Sequence, residues 1–447
     1  MAERLSARKI IEAVSSGFTE LTAVDPVEST ADGPIGWLGY DDARRRAAER
    51  TGERESVVCG VADVGGVTAM LIAFEFGYLG GSIGGRTGDL LEAAHVRARE
   101  LGVPVVSLVA TGGSRMQEGM RALSQLQRIA RQSALTRAAG LPQLSVLRDP
   151  ATGGGWATLG AGADVTLALP GAQVGFAGSR VRPDGDPHAY TAEGQWESGL
   201  VDQLVDQADL PEALHRWLTL LTGGGGPAPE PPAALGEAEL PRSGWDAVQR
   251  ARAPGRPRAD AYLDFYFDWR ENISGDRSGG RDDGVRCGFG FRDGHAIAYA
   301  AQCGTATRPS GFRTAARLVH LADRFGIPVL TFVDTPGAAN EGAAESAGAG
   351  PAIGQLFAAM GGAAVPITTL VIGEGGSGGA LAFAAAGRTW VTPDSYFSVT
   401  SPEAAAAILK RDSTEVPATA NQLRLRPQDL VDLGVATAIV PPAPERV

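Results

Sequence analysis

Leu101–Gly113 reads LGVPVVSLVATGG, and 224 positions later Phe325–Gly337 reads FGIPVLTFVDTPG. Gly102 matches Gly326, Pro104 matches Pro328, Thr111 matches Thr335 and Gly113 matches Gly337. The same spacing pairs Pro142 with Pro366, and Gly154–Gly155 with Gly378–Gly379. One match could arise by chance, but a constant spacing over separated blocks marks two copies of one domain-sized unit. In each copy an apolar run (Val103–Val109; Ile327–Val333) ends in a glycine-bearing turn. After the first turn a helical stretch is expected over Arg115–Gly140, with Met116, Met120, Leu123 and Leu126 on one face. A second strand (Gln143–Leu147; Thr368–Ile372) and a second glycine cluster follow. Strands alternating with helices predict an α/β fold of βαβ units with right-handed crossovers.

Between the copies lies Thr222–Asp260, which contains GGGGPAPEPPAALG and APGRPR. Its Gly, Pro and Ala content predicts a linker, dividing the chain into 1–221, 222–260 and 261–447. A length of 447 residues, 44% hydrophobic and 20% charged, suits a globular protein with two cores.

The net charge of −11 argues against nucleic acid as the main partner, because phosphate binding needs a basic face. It leaves room for a local basic pocket. Cys59, Cys287 and Cys303 are scattered and form no CxxC pair, so neither a disulfide framework nor a cysteine zinc site is expected. A reduced, cytoplasmic protein is the simplest reading. No apolar run approaches the roughly 20 residues of a membrane helix.

A strand that ends in glycines and leads into a helix leaves backbone N–H groups pointing into a cleft. Two such groups can hold a developing oxyanion. Gly112–Gly113 offers this in the first copy and Gly337–Ala338 in the second. Either turn alone could be a plain strand-to-helix connection. Two at equivalent positions point to a composite site.

The motifs then become specific. VATGGSRMQEG (Val109–Gly119), with FEFGYLGGSIG (Phe74–Gly84) and VGFAGSRV (Val174–Val181), resembles the beta subunit of the bacterial acetyl-CoA carboxylase carboxyltransferase. FVDTPGA (Phe332–Ala338), VIGEGGSGGALA (Val371–Ala382) and FSVTSPEAAAAILK (Phe397–Lys410) resemble the alpha subunit. The resemblance covers roughly residues 40–205 and 260–440 in order. It implies two tandem crotonase-type (ClpP/crotonase superfamily) domains of ββα units, assembled as a homodimer or higher homo-oligomer.

The resemblance also implies a biotin-dependent carboxyltransferase acting on an acyl thioester of CoA or acyl carrier protein. Gly112 and Gly113 would hold the thioester oxygen of the substrate as its enolate, and Gly337 and Ala338 the ureido oxygen of carboxybiotin. Around the first turn, Gly80, Gly81, Arg115, Phe176, Ala177 and Gly178 are the implied substrate-binding positions; around the second, Gly378 and Gly379. Lys9 and Lys410 are the only lysines and neither lies in a Met-Lys-Met motif, so biotin would arrive on a biotin carboxyl carrier protein or biotin carboxylase.

Among other side chains, Glu118 reads as a structural hydrogen-bonding residue rather than a base, and Arg115 as either a ligand contact or a salt bridge. Asp334 and Glu374 fall at strand ends, where open α/β sheets gather their sites. His95, His188, His215, His295 and His320 share no metal-like spacing, and no metal is expected. EGGSGGAL lacks the Gly-Lys-Ser/Thr ending of a P-loop.

Two departures from the family stand out. Met1–Tyr40 has no cysteine where the beta subunit usually carries a zinc ribbon, and AQCGTATRPSGFR keeps only Arg308 and Arg313 where the alpha subunit is Lys/Arg-rich. The thin basic segment leaves two alternatives open: a biotin-independent malonyl-thioester decarboxylase and an inactive scaffolding homologue.

Overall fold

The computed structural model describes residues 4–21 and 30–444. The chain divides into two compact units, Met1–Thr222 and Gly223–Val447.

In the first unit an eight-stranded sheet runs β1-β2-β3-β4-β5-β6-β8, with β7 paired to β5. The strands are β1 (Ser16–Glu20), β2 (Val57–Val64), β3 (Val67–Phe74), β4 (Val105–Thr111), β5 (Gln143–Thr152), β6 (Val165–Ala168), β7 (Val174–Gly175) and β8 (Gln203–Leu204). β1, β2 and β3 pair antiparallel; from β3 onward every pairing is parallel. VVSLVAT in β4 is buried throughout, as a parallel strand covered on both faces must be. The crossover from β3 to β4 is the helix Gly85–Leu101, and that from β4 to β5 is Gln125–Ala138.

The second unit repeats this order as β9 (Trp269–Ile273), β10 (Val285–Arg292), β11 (His295–Gln302), β12 (Val329–Thr335), β13 (Ile367–Gly376), β14 (Thr389–Val391), β15 (Tyr396–Ser398) and β16 (Ala438–Ile439). Its sheet runs β16-β14-β13-β12-β11-β10-β9, with β15 on β13. The helix Pro309–Phe325 and the strands β12 and β13 each begin and end 224 residues after their counterparts in the first unit. Both units thus have parallel cores linked by helices, as the repeat predicts, and open with an antiparallel pair in the ββα order that the resemblance implies.

Two expectations need correction. The segment 222–260 is no loose linker: Thr222 ends the last helix of the first unit, and from Gly223 onward the segment is part of the second. Ala234 N–H donates to Pro441 O at 2.8 Å, and the helix Gly244–Ala251 buries Ala247, Val248 and Ala251. Poor apolar content is offset here by ion pairs: Arg252 reaches Glu374 at 2.7 Å and Arg256 reaches Asp334 at 2.5 Å.

The stretch Arg115–Gly140 is not one helix either. Gly119, with φ of 54°, interrupts it, and the continuous helix begins at Gln125. Met116, Met120 and Leu123 therefore face outward, and Ile129 fills the core instead.

Candidate active site

Each unit carries the same backbone turn. β4 ends at Thr111 and Gly113 follows with φ of 108°; β12 ends at Thr335 and Gly337 follows with φ of 141°. Side chains are strained at such angles, so both positions need glycine. In the first unit Ile83 N–H donates to Gly113 O at 2.8 Å, and Arg115 N–H donates to Ile83 O at 2.9 Å. Extended residues alternate their hydrogen-bonding edges, so Ser114 between them turns its N–H the other way. The second unit repeats this: Thr307 N–H donates to Gly337 O at 3.0 Å, and Ala339 N–H to Thr307 O at 2.9 Å, leaving Ala338 turned away. Among the described residues neither the Ser114 nor the Ala338 N–H meets an acceptor.

Three of the four N–H groups expected to hold oxyanions already have acceptors within the fold. Gly112 N–H donates to Gly80 O at 2.9 Å and Gly113 N–H to the Thr111 hydroxyl at 3.0 Å. Gly337 N–H likewise donates to the Thr335 hydroxyl at 3.1 Å. Of the four positions expected to hold oxyanions, Ala338 alone keeps an outward N–H. In the first unit the outward N–H at the equivalent position is that of Ser114. The 224-residue spacing already paired Ser114 with Ala338, so the signal was present but subordinate to the adjacent glycines.

The second glycine clusters close against these turns. β5 runs into the short helix Gly153–Gly155, and β13 into Ser377–Leu381. A Cβ on Gly153 would lie 3.1 Å from Gly113 Cα, and a Cβ on Gly379 would lie 2.3 Å from Ala338 N. Glycine at both places lets two backbones meet directly. N–H groups of a first helical turn have no partner within the helix. Gly154 N lies 4.0 Å from where a Gly113 Cβ would sit, so a second donor converges on the first turn. Gly378 is its counterpart in the second unit.

The implied substrate-binding positions divide. Gly80 gives its carbonyl to Gly112, and a Cβ on Gly81 would lie 2.0 Å from Ala110 O, so this pair braces the turn. Phe176 O accepts from Gly153 N–H at 3.1 Å while its ring is exposed; Ala177 and Gly178 are half-buried beside it. Gly378 is exposed and Gly379 buried.

Arg115 is turned into the protein. It is 1% exposed, bound to Glu55, the Ser82 carbonyl at 2.8 Å and Glu118 at 3.3 Å. Glu118 in turn accepts from Tyr40 O–H at 2.5 Å and Gly85 N–H at 2.6 Å, the structural use expected of it. Burial pushes Glu55 upward, yet the charge and hydrogen bonds of Arg115 outweigh it and hold Glu55 below the usual carboxylate range.

In the second unit Asp334 is fully buried between Arg256 and Arg258, at 2.5 and 3.3 Å. Burial raises its pKa against the pull of Arg256. Glu374 binds Arg252 and accepts from Tyr396 O–H at 2.9 Å. Asp334 also accepts from the Glu374 N–H at 3.2 Å, which ties the ends of β12 and β13 together. A cavity of about 420 Å³ opens beside it, lined by Arg281, Asp282, Thr305, Arg308, Ala339 and Glu341.

Among the described residues no group of three or more His, Cys, Asp or Glu side chains is gathered to hold a metal ion. No helix among them is long and apolar enough to cross a membrane.

Two ββα units, each with an outward backbone N–H at a glycine turn, form an arrangement able to stabilise oxyanions without a side-chain nucleophile. Known proteins make the assignment narrower. Residues 19–192 match the carboxyl transferase domain family, and residues 241–445 match the acetyl co-enzyme A carboxylase carboxyltransferase-like family.

The acetyl-coenzyme A carboxylase carboxyl transferase subunits beta/alpha of Salinispora arenicola is 39% identical over 92% of this chain and 78% of its own length. The probable biotin-dependent acyl-coenzyme A carboxylase beta3 subunit of Mycobacterium bovis is 33% identical over 90% of this chain and 83% of its own. The solved structure of transcarboxylase 12S, a hexamer, shares the fold with a TM-score of 0.81 at 20% identity, over 98% of this chain and 87% of that one. The chain belongs to the biotin-dependent acyl-CoA carboxyltransferase family, with beta-like and alpha-like halves in one polypeptide.

Proposed function

We propose that the chain transfers a carboxyl group between biotin carried on another protein and the α-carbon of an acyl thioester, with one glycine turn for each anion. The observation that carries this is the pair of outward N–H groups, Ser114 and Ala338, at equivalent places in the two units. In the first unit the Ser114 and Gly154 N–H groups would hold the thioester oxygen as it gains charge. In the second, the Ala338 and Gly378 N–H groups would hold the ureido oxygen. Each good donor of this kind lowers a developing oxyanion by about 3–4 kcal/mol.

Carboxybiotin, a substrate here rather than a resident group, supplies the carboxyl and takes up the α-proton. The turns need only bind, orient and stabilise, which fits the absence of a role for Glu118, Asp334 or Glu374 as a base: each is committed to an arginine.

Either CoA or a carrier protein can present the thioester. Assembly with further copies of the chain fits the exposed Ile35, Met116 and Met120 side chains, with Ile35 lying beside Gly119 between the two methionines.

The test is incubation of the purified protein with malonyl-CoA, with and without free d-biotin, followed by mass measurement of acetyl-CoA. Acetyl-CoA that appears only with d-biotin is the expected result. Equal formation without it would overturn transfer in favour of biotin-independent decarboxylation.

A further inference from the structure

The repeat supplies an internal control for the second turn. Positions flanking the first turn are Gly153 and Gly175; their counterparts are Ser377 and Ser398. Ser377 sits between β13 and the following helix with φ of 59°, where Gly153 has 63°. A serine in this left-handed region is strained by about 1–3 kcal/mol and glycine is not. Ser377 is exposed, and its hydroxyl has no partner among the described residues.

Ser398 is 8% exposed, and its Oγ is buried without a partner. It pairs in register with Gly376 across the parallel β13–β15 ladder. A Cβ on Gly376 would lie 2.0 Å from Pro336 O and 2.8 Å from Gly337 N. Register partners project to the same face of a sheet, so Ser398 projects to the face on which the Pro336–Gly337 turn lies.

In the first unit the corresponding pair is Thr152 and Gly175. There the one hydroxyl is satisfied, donating to Thr111 O at 3.1 Å, and Tyr190 covers Gly175.

Gly375–Gly379 spells G-x-S-x-G at a strand-to-helix turn, a nucleophile-elbow pattern. Among the described residues, however, no histidine hydrogen-bonds to Ser377. The serine lacks an activating base and is left as a hydrogen-bonding group.

We infer that the Ser377 and Ser398 hydroxyls flank the Ala338 N–H as ligand-binding groups of the second turn, which takes a cyclic urea. A urea ring has a carbonyl edge that accepts and N–H edges that donate, and a hydroxyl serves either edge. The first turn has glycines at both these places, and its own hydroxyl lies on the donor residue itself, Ser114, where the second unit has Ala338. The inference rests on the transfer reading above and deepens it: the serines distinguish the two turns by ligand chemistry.

The experiment measures carboxyl transfer from malonyl-CoA to free d-biotin for the full chain and for Ser377→Gly and Ser398→Ala. The KM for d-biotin should rise about tenfold in each variant while the KM for malonyl-CoA stays within twofold. Ser377→Gly relieves the backbone strain, so its Tm should not fall, which separates a lost contact from a damaged fold. An active wild type whose variants keep the d-biotin KM, or shift the malonyl-CoA KM instead, overturns the role of the serines and leaves transfer standing. A wild type inert towards d-biotin overturns the transfer reading and this inference with it.

Discussion

The two turns share a backbone but are anchored from opposite ends with opposite charge. In the first unit the buried anchor follows the turn: Arg115 holds Glu55 and Glu118, and its counterpart in the second unit is Ala339. In the second unit the anchor precedes the turn: Asp334 is held by Arg256 and Arg258, and its counterpart in the first unit is Ala110. The repeat has kept the glycine geometry and the N–H directions, while each copy acquired its own ion pairs. The glycine turn is thus what the two units share, and the charged residues around it are what differs between them.

The largest effect should come from removing a support. Arg115→Met leaves two carboxylates without their buried cation and should cost about 3–5 kcal/mol, read as a lower midpoint in urea unfolding. Arg256→Met should cost less, because Arg258 still faces Asp334. Equal losses would break the view that the first unit hangs on a single cation.

Next come the donors themselves. Ser114→Pro and Ala338→Pro each delete one outward N–H and should lower kcat by about 10²–10³. Ala338→Pro should lower transfer to d-biotin by that factor while malonyl-CoA binding, followed by calorimetry, persists. Near-normal turnover in folded Ser114→Pro would remove the first turn from the mechanism. Gly113→Pro is a poorer probe, because φ of 108° lies far from the −65° that proline requires.

The smallest effect concerns pH. Glu55 is held below its ordinary value of 4.5, so its contribution is present above that pH and is lost as pH falls through the lower folded value. Asp334 is raised above its ordinary 3.8, so its contribution runs the other way, present at low pH and lost as pH rises through the folded value. Hydrogen exchange followed from pH 6 to pH 3 should therefore show β4 losing protection before β12. The reverse order would contradict the assigned anchors.

Much of this was legible in the amino-acid order. The constant spacing between Thr111–Gly113 and Thr335–Gly337 gave the two units, and the two strands of each glycine turn begin and end in step with it. Segment 222–260 was misread because composition weighs apolar burial, whereas Arg252 and Arg256 fasten it through ion pairs to residues more than a hundred and more than seventy positions away. Met116, Met120 and Leu123 have helical spacing, yet one left-handed glycine at 119 turns that face outward.

By itself, then, the sequence determined the duplication, the α/β class, the positions of both turns and the family, because these follow from local pattern and from glycine where φ is positive. Only the tertiary structure decided which N–H groups face outward. That choice depends on hydrogen bonds to Gly80, Ile83 and Thr307, residues about thirty positions from the turns they brace. It also decided that Arg115 is buried among carboxylates, since a guanidinium pairs with whichever carboxylates the fold brings beside it, and Glu55 is sixty residues away in the chain.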